Sequence, residues 1–396
     1  MKPAVIYTLD KCQKCLKCLK VCPTDAITIE DDRVIINSYK CINCGKCIQA
    51  CLTQGLVTRG STLVDVNNYD YTVCLVPSSL VCLCETKDEV EDLFNSLKLL
   101  GFDKVIDLSD IDAQVLNETK ILSKVDKDKC YISSFCPVVN KLVETKYPSL
   151  LDNICSIDYS CEIKAKQLRK EYSDKVNLGI FNLCECQSKL LLAKYPFGNE
   201  KSSIDHALSI ADIFPAIKAN LKKGKENVSL CAEGLQSINP NTIARDERML
   251  LADGYDKVVD ILELAEFGVL GKFDLLELFP CFNGCLGGNL LWGNSYLSEN
   301  NIYKLYSQCD KEMSNIPFDD IYINYEVEID DNRPMQEKLE FFNLVNQKYD
   351  KLPHYDCGGC GFPSCRIMAE EIAKGNRTLD DCHILASLKE KNNASK

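Results

Sequence analysis

Cysteine thiolates in tight groups are the residues of this chain that could do chemistry: 25 of its 396 residues are cysteine. Eight fall in two runs of the same spacing, Cys12, Cys15, Cys18, Cys22 and Cys41, Cys44, Cys47, Cys51, each reading C-x2-C-x2-C-x3-C. Pro23 follows the first run, and Leu52 takes that place after the second. Zinc generally takes two separated C-x2-C pairs. A cube of iron and sulfide, with its irons bridged and crowded, suits four cysteines so close together. The chemistry predicted is therefore one-electron transfer. A further group, Cys357, Cys360, Cys365 and Cys382, has the spacing C-x2-C-x4-C-x16-C. There Gly358, Gly359 and Gly361 let the backbone wrap closely around a bulky group, and Ser364 is placed to cap a helix starting near Cys365. These four thiolates could hold zinc or a [4Fe–4S] cluster, and the eight cysteines already given to clusters favour iron.

The paired runs resemble a bacterial ferredoxin with two [4Fe–4S] clusters, in which the fourth cysteine of each run ligates the other run's cluster. That resemblance assigns Cys12, Cys15, Cys18 and Cys51 to one cluster and Cys41, Cys44, Cys47 and Cys22 to the other. The last group resembles the small [4Fe–4S] domain of some electron-transport subunits and hydrogenase-like sensory proteins.

The elements that must position these groups follow from periodicity. Two β-branched runs around Asp31-Asp32 predict a hairpin over 26–36. Beyond Tyr71, strands at 73–76, 104–108, 131–133 and 177–182 alternate with helices at 87–100, from Val138 and over 162–172. Pro77-Ser78-Ser79 breaks the first strand, and Cys82 and Cys84 sit in a strand-like run. A strand at 256–259 and a helix at 261–267 continue the pattern, which predicts an α/β fold with largely parallel strands. A charged, exposed stretch at 319–334 leads to a connecting helix at 335–349. The expected domains are a two-cluster ferredoxin domain at 1–59, an α/β domain at 60–345 and a small helical [4Fe–4S] domain at 346–396.

Three segments of the α/β domain stand out: Ile132-Ser133-Ser134-Phe135-Cys136-Pro137, Cys186-Gln187-Ser188-Lys189, and Glu277-Leu278-Phe279-Pro280-Cys281-Phe282-Asn283-Gly284-Cys285-Leu286-Gly287-Gly288. In this order behind a double ferredoxin, they resemble the three active-site motifs of the iron-only, or [FeFe], hydrogenases. The form of the first motif is similar to that of the sensory branch. The resemblance implies an iron-only hydrogenase-like catalytic domain carrying an H-cluster, a [4Fe–4S] cluster joined to a di-iron subsite with CO, cyanide and a dithiolate. Cys136, Cys186 and Cys281 match the ligands, and Cys285 matches the bridging one. Cys186 is chosen over Cys184 because Lys189 then falls where the family's lysine contacts a cyanide. Glu277 matches a motif glutamate that braces the loop. With the other groups this makes three accessory [4Fe–4S] clusters besides the H-cluster.

The departures bear on mechanism. Reversible H2 oxidation needs a titratable proton relay, and efficient members of the family place a cysteine before the first ligand, where this chain has Phe135. Cys184 and Glu185 stand in place of Met-Pro, with the plain reading of a spare thiol and a solvated loop residue. Phe279 replaces a methionine. The expectation is a slow hydrogenase-type oxidoreductase suited to sensing H2 or redox state, with Cys285, Lys189 and Glu277 in the catalytic site. The rival is a non-catalytic electron-transfer or cluster-assembly protein lacking the di-iron subsite.

A net charge of −12 disfavours nucleic acid and anionic membrane as partners. No apolar run approaches the roughly 18–20 residues of a membrane span, and the first ten residues show no export signal. Thiolate ligands want a reducing compartment, so a cytoplasmic location is expected, with a ferredoxin or other redox protein, or a signalling protein, as partner. Cys74, Cys82, Cys84, Cys130, Cys155, Cys161, Cys231 and Cys309 have no ligand spacing and are read as structural. His206, His354 and His383 are isolated.

Overall fold

A computed structural model of the chain describes residues 5–58, 60–172, 176–194, 196, 201–221, 224, 226, 228–317, 321–323 and 333–394. Two compact units emerge: residues Met1–Arg59 together with Glu328–Lys396, and Gly60–Val327. The helix Met335–Tyr349 runs unbroken through the expected boundary at 345.

In the first unit, β1 (Ile6–Tyr7) pairs antiparallel with β4 (Leu56–Val57), and between them lie α1 (Lys17–Val21), the hairpin of β2 (Ile27–Glu30) and β3 (Arg33–Ile36), and α2 (Lys46–Ala50). Asp31 and Asp32 both take positive φ at the hairpin tip, the geometry that a two-residue turn between right-twisted strands requires. Backbone conformation repeats with the cysteines. Lys14 and Leu16 in the first run, and Asn43 and Gly45 in the second, have positive φ at matching positions. Each run then enters a one-turn helix carrying its third cysteine. Leu16 bears the strain of a left-handed conformation, where the second run uses glycine.

The second unit is α/β with parallel sheets. One sheet has the order β6 (Lys104–Asp107), β5 (Tyr71–Val76), β8 (Leu178–Cys184), β9 (His206–Ser209), all parallel. Every residue of β8 is buried, as expected of a strand covered on both faces. Alternation along β5 shows the two layers. Val73 and Leu75 join a core with Leu168 of α7 (Ser160–Tyr172), while Cys74 and Val76 join another with Val90 and Leu97 of α4 (Lys87–Leu99). The second sheet runs β10 (Met249–Asp253), β11 (Leu275–Phe279), β7 (Tyr131–Ile132), also parallel.

Two local expectations fail for identifiable reasons. Residues 256–259 are not a strand. Gly254 turns the chain with φ +89° after β10, and a helix runs without a break over Tyr255–Glu266. Its buried Val258 and Leu262, four apart, are helix spacing. Nor does Cys82 lie in a strand: Pro77 opens the short helix α3 (Ser78–Val81), which Cys82 terminates. Most of the stretch 319–334 lies outside the described residues.

Back in the first unit, the helices Met335–Tyr349 and Cys365–Ala373 pack through Val345, Met368, Ala369 and Ile372. Ser364 caps the second of these, its side chain accepting from the Ile367 N–H (3.3 Å). Among the described residues no helix is long and apolar enough to cross a membrane.

Candidate functional site

The three motifs of the second unit share one construction. Each follows the carboxyl end of a parallel strand, the edge where open α/β sheets place ligands. Phe135 and Cys136 follow β7, Glu185 and Cys186 follow β8, and Cys281 follows β11. Cys136 is the N-cap of α6 (Pro137–Lys146), with Pro137 preset for the first turn. Cys186 is the N-cap of α8 (Gln187–Leu192).

Glycines let the third loop close on its neighbours. Gly284 has φ +61°, and a Cβ there would lie 2.3 Å from the Ile238 carbonyl oxygen. At Gly288 a Cβ would meet the Glu185 oxygen at 2.4 Å. The Cys285 N–H donates to Ile238 O (2.9 Å), and Leu290 N–H to Glu185 O (2.9 Å). Cys285 is thereby fixed against the second motif.

Burial pushes the Cys136 thiol up, opposed by the N–H groups of Val139 and Val138. It pushes Cys186 up to about 12 and Cys285 well above its ordinary value, with Lys189 acting against both shifts. Charge on Cys136 acts on Cys186, and charge on Cys136 and Cys186 acts on Cys285, so the three lie near one another. Deprotonating three such thiols together needs a bound cationic group. Helix N–H donors, a cationic lysine and the neighbouring thiols of Cys136, Cys186 and Cys285 are a donor set of the kind that suits an iron–sulfur cluster.

Beside them lies a small cavity of about 20 Å³, lined by Phe135, Glu185, Lys189, Asp112, Ser78 and Ser160 among others. Lys189 Nζ is 2.6 Å from Glu185 Oε1 and sits 5.1 Å from the Phe135 ring centre. Burial works against the Lys189 charge, but Glu185, Cys285 and Asp112 outweigh it and hold the ammonium protonated. Glu185 is buried, which overturns its reading as a solvated loop residue. Cys184 is also buried, its sulfur accepting from Asn182 Nδ2 (3.3 Å). Phe135 packs edge-on against Phe279, centroids 6.0 Å apart.

Sequence reasoning missed Asp112 and Ser78. Asp112, in the first turn of α5 (Ser109–Leu122), accepts from Ser78 Oγ (2.6 Å), and burial pushes its pKa up to about 6. The signal that could have found them was position: Ser78 lies just past the end of β5, on the same edge as Glu185.

Glu277, buried in the middle of β11, has one carboxyl oxygen without a partner. Burial pushes its pKa from 4.5 to about 7, with a Ser133 hydrogen bond and the charge of Lys120 opposing. The folded chain thus holds a proton that the unfolded chain loses first, and stability falls as pH rises through that window. Glu277→Gln removes the dependence, for a gain on the order of 2–3 kcal/mol above pH 7. The gap between variant and parent unfolding temperatures is expected to be small at pH 5 and to widen by several degrees at pH 8. A gap that narrows instead would refute the assignment.

In the first unit, a cavity of about 30 Å³ is lined by Cys12, Cys15, Cys18 and Cys51. Cys22, Cys41, Cys44 and Cys47 act electrostatically on one another. Main-chain donors reach the sulfurs, Lys14 N–H to Cys12 Sγ (3.4 Å) and Ala26 N–H to Cys22 Sγ (3.3 Å), as befits thiolates that carry charge into a cluster. A third cavity, about 10 Å³, is lined by Cys357, Cys360, Cys365 and Cys382. A cubane binds each thiolate through a different iron, so its ligands stand apart. Among the described residues none of these groups is drawn in around a single ion. His206 is held by the Tyr69 hydroxyl (3.0 Å) and by Ser61 (2.9 Å), a structural setting.

Comparison with known proteins gives three family matches. Residues 72–229 match the iron only hydrogenase large subunit, C-terminal domain; residues 4–52 match a 4Fe-4S dicluster domain; residues 352–384 match a family described as an Fe-S cluster. The first match takes in Cys136, Cys186 and Lys189 and stops short of the third motif. Among curated proteins, one component of the ion-translocating oxidoreductase complex of Thiobacillus denitrificans is 49% identical over 41 residues, 10% of this chain and 22% of that protein. The chain thus spans about a fifth of that relative's length. Among solved structures, a variant of the [FeFe]-hydrogenase HydA1 from Chlamydomonas reinhardtii superposes with a TM-score of 0.49 at 13% identity, covering 67% of this chain and 97% of that one. A structure of HydA(deltaEFG), described as showing stepwise H-cluster assembly, gives 0.47 at 13% identity over 65% and 94%.

Proposed function

We propose that this chain, an [FeFe]-hydrogenase-like protein with an N-terminal ferredoxin-like domain, interconverts H2 with protons and electrons slowly and so serves to sense H2 or redox state. The observation that carries this reading is the wall of the cavity beside the buried thiols, where Phe135 stands in place of a proton carrier. Cys136, Cys186, Cys281 and Cys285 would hold the four-iron part of the H-cluster, with Cys285 also reaching the di-iron part. When bound, that group supplies the site where H2 is split and its electrons collected.

The chain's own residues set the rest. Phe135, backed by Phe279, presents an apolar ring to that side of the cavity. Lys189 offers a fixed cation to anionic ligands and, held protonated by Glu185, does not relay protons near neutrality. Asp112 is a carboxyl of the cavity wall that exchanges protons close to neutral pH, which leaves a poor route rather than none. The eight N-terminal cysteines and the C-terminal four would hold the accessory clusters, through which electrons reach a redox partner.

Infrared spectroscopy after co-expression with hydrogenase maturases tests this. CO and cyanide stretches are expected, with H2 oxidation by a one-electron dye at least about a hundredfold below enzymes with a cysteine relay, the range that one relay group commands. Turnover matching theirs would sink the sensing reading. Iron near four cubanes without those bands would support an electron-transfer or assembly role instead.

A further inference from the structure

We propose that the chamber of Cys12, Cys15, Cys18 and Cys51 and the chamber of Cys357, Cys360, Cys365 and Cys382 are parted by a thin partition, α1 and β2 on one side and the 358–361 loop packed on them on the other, across which the clusters they hold exchange single electrons directly. The proposal rests on the iron–sulfur reading of both cysteine groups and is independent of the di-iron subsite.

Ile29 forms one face of the partition. Its side chain lines the first chamber. Its peptide N–H donates to Gly361 O (2.7 Å), inside the Cys357–Cys365 loop. The approach is so close that a Cβ at Gly361, where φ is +87°, would stand 2.2 Å from the Ile29 oxygen. A second contact runs beside it. Gly358 lines the C-terminal chamber, and a Cβ there would lie 2.8 Å from Cδ2 of Leu19, the residue after Cys18. Lys20 straddles the loop, its ammonium donating to the carbonyls of Asp356 and of Pro363 (3.2 Å), one on each side of these glycines.

The glycines at 358 and 361 thus have a use that wrapping a cluster does not require. Gly361 could not carry a side chain without lifting the loop off the β2 backbone, and at Gly358, where φ is +77°, a side chain would be strained and would displace the ends of Leu19 and Lys20. Lys20 adds a positive charge between two thiolate-rich sites that would otherwise repel one another. Ile29 and Leu19 exclude water from the contact, so little solvent need reorganise when charge crosses. In the step itself one cluster loses an electron and is oxidised, the other gains it and is reduced, and no bond forms or breaks. An external one-electron redox protein supplies or takes that electron.

The test is electron paramagnetic resonance of the reduced full-length protein, with iron analysis. The native spectrum should show spin–spin broadening and fast relaxation that disappear in Cys360→Ala/Cys382→Ala. Gly361→Val, which forces the partition open, and Lys20→Met, which keeps the stem but not the ammonium, should retain iron and weaken the interaction several-fold. Lys20→Met decides the matter if Gly361→Val loses iron. A native spectrum that is the sum of independent signals, or an interaction undiminished in both partition variants, overturns the proposal. So does unchanged iron in the double cysteine variant, which would mean no C-terminal cluster. Those failures leave the hydrogenase-type reading intact, because its test is the CO and cyanide bands.

Discussion

Phe135→Cys is expected to raise H2 turnover of the matured protein by roughly 10–100-fold, within the range that a positioned acid–base group contributes. The ring at 135 is buried, lies edge-on to Phe279 and has the Lys189 ammonium 5.1 Å from its centre. A thiol there would share the cavity with Asp112, whose pKa is pushed up to about 6. That would add a titratable thiol at the position nearest the first ligand, where the ring now carries no proton. Removing the ring also leaves a void, at a cost of about 2–4 kcal/mol in stability. Phe135→Ala is therefore the necessary companion, since it opens the same space without a titratable group. Turnover is expected to rise in the cysteine variant alone. Equal rates in the two variants would mean that access, and not proton transfer, limits the native protein.

Cys285→Ala is expected to abolish the CO and cyanide bands and to lower H2 turnover by at least about a thousandfold, since ligand loss removes the reacting group itself. Iron should fall by the share of the catalytic domain while the accessory clusters persist. Cys184 is not placed to take over. The loop is pinned where Gly284 meets Ile238 and Gly288 meets Glu185. Cys184, the nearest spare in sequence to the second motif, is buried with its sulfur engaged by Asn182. Retained bands and rate in Cys285→Ala would remove Cys285 from the site.

The legible parts of this sequence were those whose partners lie close along the chain. The cysteines at 12–51 and 357–382 declare themselves by spacing, because local backbone turns alone bring them together. The strands and helices around β5, α4 and β8 were legible for the same reason, through periodicity. The cavity was not. Its walls come from the ends of strands in two sheets, and which strand ends become neighbours is a property of topology. Glu185 was misread because a carboxylate in a loop is usually solvated, and only the facing Lys189 and the third motif make its burial tolerable. Asp112 and Ser78 carried no spacing at all, since they meet across 34 positions. The misplaced strand at 256–259 came from an apolar pair that suits either period over so short a run, and the turn at Gly254 decided for helix.

The contact of Lys20 with the loop at Asp356 joins residues 336 positions apart, and this has a consequence for how the protein is made. At about 5–20 residues per second, translation separates the two partners by roughly 17–67 seconds. During that interval the first thiol run has left the ribosome without the loop that will cover Leu19 and Ile29. Any cluster built into it early would face oxygen and competing thiols on an open flank. Delivery of iron and sulfide to the N-terminal cysteines after release, or a chaperone on that flank during synthesis, would close the window. Oxygen damage during growth should therefore mark Cys12, Cys15 and Cys18 in nascent chains more heavily than in finished ones.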